Sequence, residues 1–135
     1  MNRGKFRVIT LGADILILAS SYILMSMLKP AGLKTYMLSH ITFFLMLAFL
    51  WIVVSAVSGK IGRGRIVNLR TLFSRVLTAN LIATSMAALL LFALRDLSYS
   101  RQVVFGTAIT ATVLELVLGS VYLAFRKAPL ITPAE

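Results

Sequence analysis

The sequence predicts an all-α membrane protein of four transmembrane helices, packed as an antiparallel bundle with both termini on the cytoplasmic side. Three observations predict it. First, 59% of the 135 residues are hydrophobic and only 13% are charged, with a mean hydropathy of +0.94. An ordinary soluble domain is about 45–50% apolar and about 25% charged, so the apolar excess is more than a core of this size could bury. Second, the apolar residues fall into four runs, each close to the roughly 20 residues a helix needs to cross a bilayer. Third, the cations sit between the runs and fall unevenly on the two sides they define.

The first span runs from about Val8 to Leu28. It follows the basic start Arg3, Lys5, Arg7 and stops at Lys29-Pro30. A secretory signal has an apolar region of only about 7–15 residues followed by a small-residue cleavage site. This run is longer and lacks that site, so it reads as an anchor. The second span covers about Tyr36 to Ser58, contains Trp51 and ends at Gly59-Lys60. The third runs from about Val76 to Leu94, the fourth from about Val103 to Phe125, ending at Arg126-Lys127. Residues 1–127 thus form one transmembrane domain. Residues 128–135, with two prolines, read as a disordered tail or the start of a linker.

Orientation follows from the cations, which concentrate in cytoplasmic loops. Arg3, Lys5, Arg7, Lys60, Arg63, Arg65, Arg70, Arg75, Arg126 and Lys127 share one side; Lys29, Lys34, Arg95 and Arg101 share the other. The richer side is expected to be cytoplasmic. Short loops make consecutive helices antiparallel neighbours. In the longest connection, Gly59 to Arg75, the spacing of Ile66, Leu69, Leu72, Phe73 and Val76 suits either an amphipathic helix in the interface or an early start of the third span. Lys60, Arg63, Arg65 and Arg70 are expected to contact lipid headgroups. The net charge of +10 fits anionic lipid better than nucleic acid, because no basic, aromatic-interleaved surface lies outside the spans.

Two acids fall inside spans, Asp14 in the first and Glu115 in the fourth. A charge at the bilayer centre costs roughly 2.5–3.5 kcal/mol on insertion scales, so both are expected to face protein. Asn80 and Arg75 are candidate partners, giving an intramembrane polar network of Asp14, Arg75, Asn80 and Glu115. A structural role is favoured over a proton or cation relay. Thr107, Ala111, Glu115 and Gly119 recur at four-residue intervals on one face of span four. Span three offers Thr84 and Ala88 after Asn80, with Ala79, Ala83 and Ala87 beside them. Small residues let helix backbones approach and hydroxyls bond across the interface, so spans three and four, or two subunits, are expected to pack here.

Catalytic chemistry finds little support. The sequence has no Cys and a single His, His40, read as an interfacial polar residue. No metal-ligand set can be assembled, no nucleophile triad or phosphate loop is present, and no cofactor is expected. Trp51 reads as packing against a neighbour, and most of the methionines as membrane-core filler.

The segments Trp51 to Lys60 (WIVVSAVSGK), Ala93 to Thr107 (ALRDLSYSRQVVFGT) and Ala108 to Glu115 (AITATVLE) resemble the N-terminal membrane region of bacterial exopolysaccharide polyprenyl-phosphate sugar-1-phosphate transferases. In that family four transmembrane helices precede a nucleotide-fold-like soluble domain and a catalytic domain that moves a sugar phosphate onto a polyprenyl phosphate. The sequence continues only ten residues past Phe125, and no family catalytic residue has a counterpart in it. The resemblance therefore implies a non-catalytic anchoring and assembly domain in a bacterial inner membrane, not itself an enzyme. The expected partners are membrane lipids, among them anionic headgroups or polyprenyl phosphate, and a second copy or another membrane protein. The rival expectations are a small four-helix transporter or lipid-carrier flippase using Asp14 and Glu115, and an accessory subunit of a larger membrane complex.

Overall fold

The structure is a computed structural model, described over residues 3–30, 33–60, 68–95 and 99–127. Its helices are α1 (Arg3–Met27), α2 (Leu33–Ser39), α3 (Ile41–Val57), α4 (Leu69–Ala93) and α5 (Arg101–Lys127). With a rise of about 1.5 Å per residue, α1, α4 and α5 are each about 37–40 Å long, against a hydrocarbon core of about 30 Å. These three are long and apolar enough to cross a membrane, and the bent pair α2–α3 is the fourth if it forms one span. Only 22% of the apolar window in α1 and α5 and 28% in α4 is buried inside the fold. Leu16 of α1, Phe49 of α3, Leu81 and Leu89 of α4 and Phe125 of α5 are among the exposed apolar side chains, an extent of apolar surface that marks an interaction or membrane face.

Contacts along the helices set their directions. Between α1 and α5, Met25 lies against Gly106 while Asp14 lies near Glu115. Between α4 and α5, Leu72 lies against Gly119 and Asn80 bonds Thr112 and Glu115. Tyr22 of α1 stacks on Phe44 of α3 with centroids 4.7 Å apart, while Asp14 of α1 lies beside Lys60 just past the end of α3. Each pair is therefore antiparallel. Packing runs α1 to α5, α5 to α4, α4 to α3 and, less extensively, α3 back to α1. The four helices close into a ring whose first and last members are its most extensively packed pair.

The largest difference from the sequence reading is span two. It is expected as one helix over about 36–58, whereas the chain bends by 62° between α2 and α3, at His40. Side-chain donors gather on the carbonyls at the bend. The Tyr22 hydroxyl donates to the Met37 carbonyl at 2.8 Å, and the Tyr36 carbonyl is approached by His40 Nδ1 at 3.1 Å and Ser39 Oγ at 3.3 Å. Such bonds compensate backbone groups that leave a helical ladder, and insertion of side chains into that ladder is a recognised cause of kinks.

The connection into span three resolves toward the longer helix. Asn68 caps α4 from an extended conformation, its side chain accepting the Thr71 N–H at 2.8 Å. From there α4 continues without a break through Phe73 and Val76, so Leu69, Leu72 and Phe73 belong to the same helix as Val76. Residues 61–67, which include Ile66, Arg63 and Arg65, and the tail 128–135 lie outside the described residues.

The core follows a large-against-small pattern. Phe43, Leu47, Leu50, Trp51 and Val54 of α3 share one cluster with Ala79, Ala83 and Ala87 of α4 and Val104, Ala108 and Ala111 of α5. Alanines at four-residue intervals let the α4 backbone come close to its bulky neighbours. Of the two lines of small residues on α4, the one through Ala79, Ala83 and Ala87 is thus the buried one. Ala83 and Ala87 are buried, and Thr84 and Ala88 are only half-buried at its margin. On α5, Thr107 and Ala111 are buried and Gly119 lies under Leu72. The stripe hydroxyls do not cross the interface. Thr107 donates to the Val103 carbonyl and Thr84 to the Asn80 carbonyl, each within its own helix, because the carbonyl four residues back is always within reach.

Enlarging the alanine column should therefore cost more than trimming the outer face. Ala83→Leu is expected to destabilise the bundle by about 1–3 kcal/mol through overpacking. Leu89→Ala, on an exposed position, should stay within about 0.5 kcal/mol. Unfolding in detergent micelles measures both.

Candidate functional site

The buried interior at the level of Asp14 holds an ionic centre supplied by α1, α3, α4 and α5. Asp14 comes from α1, Trp51 from α3, Asn80 from α4, and Glu115 and Thr112 from α5. The cation is Lys60, just beyond α3. The local sequence explains how it gets there. Ser58 closes the helix, and Gly59 adopts a left-handed φ of 76°. A left-handed glycine is the usual residue one past a helix end, and the residue after it commonly packs back onto the last turns. That residue is Lys60.

Lys60 Nζ sits 2.6 Å from Glu115 Oε2, 3.1 Å from Asp14 Oδ2 and 3.1 Å from Asn80 Oδ1. An ammonium has three donors, and three acceptors surround this one. Glu115 is held on both oxygens. The Trp51 indole N–H donates to Oε1 at 3.1 Å, and the Asn80 amide donates to Oε2 at 2.8 Å. The same amide group donates to the Thr112 hydroxyl at 3.1 Å, and that hydroxyl donates in turn to the Ala108 carbonyl. Lys60 Nζ also lies 5.5 Å from the centre of the Trp51 ring, a cation–π distance. Asp14 is different. Its Oδ2 is fully buried and is in charge contact with Lys60, yet no donor is in hydrogen-bonding alignment with it.

All the charged groups here are shielded. Asp14, Lys60, Asn80 and Glu115 are 7%, 8%, 2% and 5% exposed. Moving two charges out of water is repaid only when geometry is good and the remaining polar atoms are satisfied. The Lys60–Glu115 pair meets that condition through Asn80 and Trp51.

Lys60 corrects the sequence reading. It is expected at the lipid headgroups but lies inside the bundle, because two buried carboxylates require a cation and the Gly59 turn supplies the nearest one. Arg70 is exposed in the first turn of α4, and Arg75 is half-buried further along it. Asp14, Asn80 and Glu115 do come together. Trp51, Thr112 and Lys60 were not assigned to the network from sequence. The available signal was charge balance, since two intramembrane acids had no cation in any span and Gly59-Lys60 ends a span on Asp14's side.

A second polar point lies at the opposite end. His40 is 3% exposed, and its Nε2 accepts the Ser100 backbone N–H at 2.8 Å. The neutral ring therefore carries its proton on Nδ1, facing Ser39 Oγ and the Tyr36 carbonyl. Tyr99 packs on the ring edge at 5.2 Å. His40 ties the α2–α3 bend to the start of α5. Also at this end, a groove of about 310 Å³ is lined by Ala88, Leu91, Phe92, Tyr99, Arg101 and Phe105, away from the ionic centre. Among the described residues no three His, Cys, Asp or Glu side chains converge as a metal site would require.

Removing the shared cation should be costly. Lys60→Met leaves buried carboxylate without its partner and is expected to destabilise by about 3–5 kcal/mol. Adding Glu115→Gln should recover part of that loss. Denaturation of the single and double variants in detergent checks both outcomes.

No protein-family model matches this chain, and neither a curated protein nor a solved structure does.

Proposed function

We propose that this chain is the membrane-anchoring and assembly domain of a polysaccharide-initiating sugar transferase, and that it carries no catalysis itself. The observation that carries the anchoring role is the Lys60 centre. One ammonium bound to Asp14, Asn80 and Glu115, with Trp51 on Glu115, joins the four spans in one arrangement. The intramembrane acids are spent on holding helices together, as a rigid scaffold requires. The transferase assignment rests on the resemblance carried by residues 51–60 and 93–115.

In this reading the chain spans a bacterial inner membrane four times, with α2–α3 as one bent span and both termini cytoplasmic. The cation count then stands at nine to four, since Lys60 is withdrawn from the ten on the richer side. Its partners are anionic headgroups or polyprenyl phosphate at that face, and a second copy or another membrane protein along the exposed apolar sides.

One observation favours a second reading, a small proton-coupled transporter. Asp14 Oδ2 is buried without an aligned donor, as a relay group would be. Two measurements decide. The purified chain, given nucleotide sugar and polyprenyl phosphate, is expected to yield no sugar-phosphate transfer, and turnover would overturn the non-catalytic assignment. Liposomes containing it are expected to show no proton-driven uptake; uptake lost in Asp14→Asn would establish the transporter instead.

A further inference from the structure

We infer that the ionic centre is a proton-binding site, and that Asp14 holds the proton. The first argument is charge. Among the described residues the centre contains two carboxyl groups, Asp14 and Glu115, and one ammonium, Lys60. With all three ionised, the interior carries one uncompensated negative charge. In a low-dielectric site such a charge is relieved by binding a proton, and two carboxylates sharing one site do not both remain ionised.

The second argument is geometry, which tells the two acids apart. Glu115 receives Trp51 on one oxygen and Asn80 and Lys60 on the other. Bonds donated to a carboxylate favour its ionised form. The ammonium is also closer to Glu115, at 2.6 Å, than to Asp14, at 3.1 Å. Asp14 Oδ2 is buried with no aligned donor. The Glu115–Lys60 pair is therefore complete, and Asp14 is the group left over. A hydronium ion gives up one proton: its O–H bond breaks, an O–H bond forms on the Asp14 carboxylate, and water is left. The centre then has no net charge, and α1, α3, α4 and α5 stay in contact with it.

Infrared spectroscopy of the full chain in alkyl maltoside micelles, which have no carbonyl of their own, reads this directly. The sequence has only four acids, so the carbonyl band of a protonated carboxyl at neutral pH is assignable. The expected result is such a band in the unsubstituted protein, shifted in heavy water and absent in Asp14→Asn. Asp14→Asn copies the neutral acid in shape and charge and should keep the original melting temperature. In Glu115→Gln the band should also vanish, because Asp14 gives up its proton to pair with Lys60. No band in the unsubstituted protein, or a band that persists in either variant, would overturn the assignment.

Discussion

An ammonium group in the interior of an apolar bundle must be surrounded by oxygens, and this requirement organises the structure around Lys60. Those oxygens come from three different helices, and the indole that completes the Glu115 shell comes from a fourth. Apolar packing alone does not select one arrangement of lipid-soluble helices, since lipid tails are as apolar as leucine. Hydrogen bonds to a buried charge do select, because each has few geometries that satisfy it. The alanine column of α4 and the glycines of α5 then allow the helices to close to the separation that the polar contacts need.

Much of this was legible in the sequence. The helical class followed from composition and run length, and α1, α4 and α5 are long and apolar enough to cross a membrane. Asp14, Asn80 and Glu115 were singled out because polar groups in apolar runs must face one another. Four-residue spacing fits two adjacent lines on α4 equally well, and only the neighbour's shape chooses Ala83 over Thr84.

Other features depend on tertiary contacts that no local pattern carries. The bend at His40 needs the Tyr22 hydroxyl, 14 and 15 residues away from the carbonyls it approaches. Lys60 reads as a surface cation because lysines at span ends usually are; the glycine before it reverses that by turning the chain back on the helix. The bond from Trp51 to Glu115 joins residues 64 apart. His40 and Ser100 are 60 apart, and nothing near either one signals the other.

The ring closes between its first and last helices, and that fixes an order of events during synthesis. The chain emerges from its N-terminus, so Asp14 and Lys60 are both made long before Glu115. Until residue 115 exists, the lysine has only one of the two carboxyl groups that flank it in the finished bundle. The polar centre is thus complete only once α5 is in place.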